Sequence, residues 1–304
     1  MGIDFLFILK ALIIAIVEGL TEFVPVSSTG HMILVGDLIH FNTQSGGFPE
    51  MYEVVIQLGA ILAVVVLYWR KISSSVVEFL CYIFSFIGLK TSGDKRKYEK
   101  RLAESKTGFR FGINVIIATI PAAILGFLFD DEINKYLFST KTVAVGFIVG
   151  GILLIVIENN FRKRAKRSKI VKDIDKMTYG QSLLVGCFQC LSLWPGMSRS
   201  ASTIMGGWIS GLSTTVATEF TFFLGIPVMV GASGLKLFKF DYSQMDGTYL
   251  IALILGFIVA FIVSLVVIDN FINYLKKKPM RVFAIYRVFA GIVLAILIFT
   301  KVIS

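Results

Sequence analysis

The stretch "VEGLTEFVPVSSTGHMIL", Val17 to Leu34, decides how this chain is read. It carries two glutamates, two serines and a histidine, with a proline near its middle, inside a region that is otherwise apolar. A continuous spanning helix would bury those groups in hydrocarbon at high cost. Pro25 removes a backbone donor and breaks the helix, so the segment reads as one that enters the membrane, breaks and returns. Irregular backbone at membrane depth is tolerated only where protein or water satisfies it. The turn is therefore expected to be a polar centre of the molecule.

The rest of the chain fits that setting. Of 304 residues, 56% are hydrophobic and 16% charged, and the mean hydropathy of +0.79 excludes an ordinary soluble domain. Apolar runs long enough to cross about 30 Å of hydrocarbon occur at 51–70, 109–129, 141–158, 217–237, 248–270 and 282–301. The formal charge is +10, and 22 of the 30 Lys and Arg residues lie in 70–71, 90–110, 158–176 and 276–281. Clustering between apolar runs is the positive-inside signal, which puts these loops in the cytoplasm, with anionic lipid as an added contact. The basic patches lack interleaved aromatics, which argues against nucleic acid as a partner.

Three cysteines are too few for a disulfide scaffold. "CFQC" (187–190) has redox or zinc spacing, but it sits in an apolar segment with no second pair and is expected to serve packing. Only Lys10 precedes the first apolar run and no small-residue cleavage site follows, so the N-terminus reads as retained structure rather than a signal peptide.

With 70–110 inside, the spans alternate so that the acidic loop 130–141 lies outside and the last span ends outside. Segment 72–90, bracketed by cytoplasmic charge, is expected to form an interfacial helix. Regions 3–40 and 180–212 must each leave and return on one face, the first from outside and the second from inside. The breaks fall at "VPVSSTG" (24–30) and "WPGMSRS" (194–200). The expected fold is an all-α polytopic membrane protein, with six transmembrane helices plus two re-entrant helical hairpins in one integral membrane domain, 1–304. Its halves, 1–158 and 177–304, flank a basic cytoplasmic loop and resemble each other. Aligning Pro25 with Pro195 sets Ser28 on Ser198, and "EVVIQLG" (53–59) and "EFTFFLG" (219–225) share E-x-x-x-x-L-G. An odd number of spans per half makes this an inverted-topology repeat, a design that holds binding sites where broken helices meet near the midplane.

Glu18 and Glu22 are one helical turn apart, so both carboxylates share a face. Two like charges so close need a cation, a proton or an arginine between them. Without a Cys or His set beside them, the expected cation is a hard divalent ion, Mg2+ or Ca2+. Ser28 stands three residues before His31 at the start of a new helix, a spacing suited to a nucleophile and a proton carrier; the plainer reading makes Ser27 to Thr29 a helix cap. His40, near a loop, reads as structural. In "PGMSRSAST" (195–203), Arg199 lies among Ser198, Ser200, Ser202 and Thr203 at a helix start, which describes an anion site; the plainer reading pairs Arg199 with Glu18 or Glu22. Acids, hydroxyls, imidazole and guanidinium at one midplane site point to phosphoryl transfer on a lipid phosphate.

These motifs resemble the undecaprenyl-diphosphatases, also called bacitracin-resistance proteins. "EGLTEFVPVSSTGH" (18–31) is similar to that family's E-x-x-x-E and serine–histidine segment, and "PGMSRSAST" to its P-G-x-S-R-S-x-x-T motif. "EVVIQLGAILAVVV" (53–66), "GCFQCLSLWPG" (186–196) and "FAIYR" (283–287) extend the similarity over nearly the whole chain. Ala201 departs from it, standing where glycine is common. The resemblance implies hydrolysis of undecaprenyl diphosphate to the monophosphate and inorganic phosphate, recycling the carrier for cell-wall synthesis and removing the bacitracin target. It implies a bacterial plasma-membrane enzyme with its site facing outward, interdigitated repeats, and a polyprenyl diphosphate substrate. By position, Glu18 and Glu22 would serve the metal and the diphosphate, Ser28 and His31 the displacement, and Arg199 the phosphate. Ser27, Ser198, Ser200 and Thr203 would add hydrogen bonds. A serine, histidine or water nucleophile, a homo-oligomer, and a transporter or flippase role for a polyprenyl phosphate all stay open at this point.

Overall fold

The computed structural model describes residues 3–41, 47–87, 95–166, 169–275 and 277–302. Twelve α-helices and three short 3-10 helices make up the described fold; the α-helices are α1 (Phe5–Thr21), α2 (Ser28–Leu38), α3 (Phe48–Leu67), α4 (Trp69–Ile87), α5 (Lys95–Leu128), α6 (Asp130–Leu137), α7 (Thr140–Ala165), α8 (Tyr179–Gln189), α9 (Arg199–Ile209), α10 (Thr214–Lys239), α11 (Gly247–Leu275) and α12 (Arg281–Phe299). Six of them, α3, the Ser105–Leu128 part of α5, α7, α10, α11 and α12, are long and apolar enough to cross a membrane. All six correspond to the runs read from the sequence. The basic stretch 90–110 begins in residues 88–94, which lie outside the described residues.

Local chemistry sets the ends of these helices. The Asp4 side chain accepts from the Phe7 N–H at 2.9 Å and starts α1. Reciprocal capping boxes, Ser139 with Thr142 and Thr178 with Gln181, start α7 and α8. At 11 residues, α2, α8 and α9 are too short to span hydrocarbon. α1 packs on α2, and α8 on α9, as two short hairpins, broken between residues 22 and 27 and between 190 and 198. α4 is helical and lies along α5; it is not among the candidate spans.

The halves interlock. α1 packs on α11, while α8 packs on α5, so each hairpin rests on a span from the other half of the chain. Small residues make this approach feasible, as is common where helices meet in membranes. α11 buries Ala252, Gly256, Ala260 and Ser264 at four-residue intervals and exposes Ile254, Ile258, Ile262 and Val266 on the other side. A Cβ at Gly19 would lie 2.8 Å from the Val263 Cβ and 3.0 Å from the Ala260 carbonyl. Close packing there fixes the end of α1, and with it the two glutamates.

Candidate active site

The acid pair comes from the end of α1. Glu22 follows the last residue of α1, but at φ −62° and ψ −45° it keeps the helical path, and its N–H donates to the Glu18 carbonyl at 2.9 Å. Both carboxylates thus share one face, as their spacing predicts. The chain then turns through Pro25 to Ser27, whose φ of 74° is rare for a residue with a Cβ. In the second hairpin Ser198 has φ 69°, and each of these serines immediately precedes an 11-residue helix. The two turns correspond in backbone conformation with Ser27 opposite Ser198. This shifts the proline-based register by one residue, because Gly196 is an extra residue in the second turn, and it sets Ser28 opposite Arg199.

Glu22 joins the hairpins. The Ser28 hydroxyl donates to Glu22 Oε2 at 2.5 Å, and Arg199 Nη2 donates to Glu22 Oε1 at 3.1 Å. Arg199 Nη1 donates to the Thr221 carbonyl at 2.9 Å. Gly225 gives the guanidinium its room, since a Cβ there would lie 2.7 Å from Nη1. A cavity of about 230 Å³ opens beside this trio, walled by Ser27, Ser28 and Thr29 on one side and Trp194 to Gly196, Ser198 and Arg199 on the other, with Gln57 from α3 and Met229 from α10. A charged, hydroxyl-bearing cavity at the junction of two broken helices is suited to an anionic group attached to a lipid.

The sequence profile described as "Bacitracin resistance protein BacA" matches residues 11–293. The chain belongs to this family. It is 95% identical over 304 residues, covering all of both chains, to an "Undecaprenyl-diphosphatase" of Clostridium perfringens. It is 61% identical over 304 residues to an "Undecaprenyl-diphosphatase 2" of Clostridioides difficile, covering 100% of this chain and 99% of the relative. An "Undecaprenyl-diphosphatase" of Clostridium tetani is 56% identical over 299 residues, 98% of this chain and 99% of its own.

Within this BacA-family chain, His31 is placed differently from the sequence expectation. Its Nδ1–H donates to the Ser27 carbonyl at 2.7 Å, and Tyr286 Oη lies 2.7 Å from Nε2. Since a carbonyl only accepts, Nδ1 carries the proton and Nε2 accepts from the phenol. The imidazole is therefore committed elsewhere, and the Ser28 proton points to Glu22. The reason is local: helical side chains lean toward the N-terminus, which brings the ring of His31 over the Ser27 carbonyl. Ser200 and Thr203 also stand back from the cavity. Ser200 Oγ donates to the Val24 carbonyl at 3.0 Å, and Thr203 Oγ1 lies 2.7 Å from Thr221 Oγ1. Both hydroxyls tie the turns and helices together.

Glu18 is fully buried, and neither of its carboxylate oxygens has a hydrogen-bond partner. Among the described residues no group of three His, Cys, Asp or Glu could hold a metal. Two carboxylates one turn apart are hard oxygen donors of the kind magnesium or calcium takes, and of the two Glu22 lines the cavity. The orphaned oxygens of Glu18 are what makes the fit.

Sequence reasoning missed Thr221, Gln57, Tyr286 and Arg287. Thr221 contributes a main-chain carbonyl, which leaves no mark in a sequence. Arg287 did leave one: a lone arginine inside an apolar span is a functional flag in its own right.

Proposed function

We propose that this protein hydrolyses undecaprenyl diphosphate to undecaprenyl phosphate and inorganic phosphate, returning the lipid carrier to cell-wall synthesis and depleting the diphosphate that bacitracin binds. The observation that carries this reading is the Glu22 carboxylate, which holds the Ser28 hydroxyl with one oxygen and the Arg199 guanidinium with the other. The family and the names of its relatives support the substrate.

In this mechanism Ser28 Oγ attacks the terminal phosphorus. Its proton passes to Glu22 Oε2, along the hydrogen bond already in place. The anhydride P–O bond breaks and undecaprenyl phosphate leaves with the electron pair, while Arg199 balances charge on the equatorial oxygens. After Glu22 has released that proton to solvent, it takes one from water as the water attacks the phosphoserine. It returns this proton to Ser28 Oγ as inorganic phosphate departs. Glu18 and Glu22 would hold Mg2+ or Ca2+, which when bound supplies further positive charge to the diphosphate. Ser27 and Ser198, both on the cavity wall, would donate hydrogen bonds to phosphate oxygens.

The cavity wall also supports an outward-facing site in the plasma membrane. Under the charge-derived topology α10 runs outward, and its wall residues Val228, Met229 and Ala232 lie past its midpoint.

Purified protein in detergent should release phosphate from the diphosphate lipid when a divalent cation is present. Brief incubation with terminally labelled substrate should leave acid-stable label on Ser28; an acid-labile adduct would move the nucleophile to His31, and no adduct would favour water. The second reading, a transporter for a polyprenyl phosphate, draws on the paired broken helices. Absence of phosphate release in detergent, where no gradient exists, would favour it.

A further inference from the structure

Consecutive residues of α12 each reach one of the two strained turns. Tyr286 stacks on His31, with ring centroids 5.6 Å apart and planes 8° from parallel, and its hydroxyl bonds Nε2. His31 in turn holds the carbonyl of Ser27, the residue before Ser28. Next to it, Arg287 Nη2 donates to the carbonyls of Gly196 and Met197 at 2.8 Å each and lies 3.4 Å from that of Gly146. Those carbonyls lead into Ser198, the residue before Arg199. Neighbouring side chains on a helix point about 100° apart, so a single helix can address both hairpins at once.

Arg287 is unusual in other ways. It is fully buried, and its Nε and Nη1 have no hydrogen-bond partner. Backbone carbonyl oxygens accept its hydrogen bonds, and none of these acceptors is a carboxylate. A buried charge is costly unless paired, so its place here calls for a benefit. α7 is shaped to receive it: a Cβ at Gly150 would collide with the guanidinium, and one at Gly146 would lie 2.5 Å from the Pro195 carbonyl.

We propose that Tyr286 and Arg287 are positioning residues that form a two-pronged brace: Tyr286, through His31, sets Ser28, and Arg287, through the 196–197 carbonyls, sets Arg199. Neither touches the substrate. The proposal rests on the hydrolase reading for its catalytic consequence, while the brace itself can be read without turnover.

The test uses the full-length protein in detergent and the variants Tyr286→Phe, Arg287→Gln and Arg287→Lys. Hydrogen–deuterium exchange should speed up over residues 24–31 in Tyr286→Phe and over 194–203 in Arg287→Gln, each leaving the other turn near wild type. In parallel, Arg287→Gln should lower kcat about 10- to 100-fold, the scale of a misplacement near 1 Å, and weaken inhibition by inorganic phosphate. Arg287→Lys, which can still donate to both carbonyls, should recover much of both. The inhibition constant does not depend on the folded fraction, so a merely structural role would leave it unchanged. Exchange that rises evenly over all helices, or wild-type exchange and inhibition in both Tyr286→Phe and Arg287→Gln, would overturn the brace. If Arg287→Gln fails to fold, Tyr286→Phe decides alone, and wild-type exchange over 24–31 in that variant would overturn the brace. No phosphate release by wild type would sink the hydrolase reading alone, because the exchange pattern stands apart from activity.

Discussion

Arg199 and Glu22, 177 positions apart in the chain, meet through a 3.1 Å contact between Nη2 and Oε1, with side chains 12% and 8% exposed. The plainer reading of Arg199, an internal partner for an acid, thus holds alongside its place on the cavity wall. Lysine at this position could not reach both Glu22 and the Thr221 carbonyl with a planar fork. Arg199→Lys should lower kcat about 100-fold, the scale of losing an oriented donor to a transition state. Near-normal phosphate release by that variant would refute the bidentate role.

Ser28→Ala removes the nucleophile and should reduce phosphate release at least about 1000-fold, whereas Ser27→Ala removes only one donor on the cavity wall and should cost far less. Side-by-side rates on the diphosphate lipid decide the matter. Full activity in Ser28→Ala would end the serine mechanism.

The two glutamates should separate by phenotype. Glu22→Gln keeps an amide acceptor for Arg199 but loses the base, so kcat should drop about 100- to 10,000-fold with limited loss of thermal stability. Glu18→Gln, which keeps the base, should raise the cation concentration for half-maximal activity at least about 10-fold, since even outer-shell changes cost about that much, while its kcat at saturating cation falls far less than that of Glu22→Gln. Without added cation its melting temperature should equal or exceed that of wild type, because an uncompensated buried carboxylate has been removed. A metal titration with paired melting curves reads both; an unchanged cation requirement in Glu18→Gln would remove Glu18 from the metal site.

Gly225 offers a test of Arg199 placement that leaves every functional group intact. Gly225→Ala would set a methyl 2.7 Å from Nη1, whereas a Cβ at Gly231, also on α10, meets nothing within 4 Å. The first should lower kcat about 10- to 100-fold and the second should leave it unchanged. Equal effects in both variants would show that α10 rigidity, not the guanidinium, is being measured.

Much of this molecule is legible in its sequence. Hydrophobic length counts residues against a fixed bilayer thickness, so the six spans follow from composition alone. Pro25 and Pro195 announce the helix breaks because proline lacks an N–H. The residue types of the site were also visible, since an acid or arginine in an apolar segment stands out against its surroundings.

The tertiary structure decided who meets whom. Proximity of Ser28 and His31 in sequence suggested a pair, but the backbone turn at Ser27 gives the imidazole to a carbonyl and to Tyr286, and gives the hydroxyl to Glu22. The register between the two turns hinged on Gly196, one residue that only φ angles could place. Arg287 and Tyr286 gained a role solely from where α12 lies against two hairpins. Sequence alone determined the elements and the chemical inventory, because burial and helix breaking act on each segment locally. Partnerships across 177 or 255 positions depend on how the helices pack, and packing is a property of the whole chain.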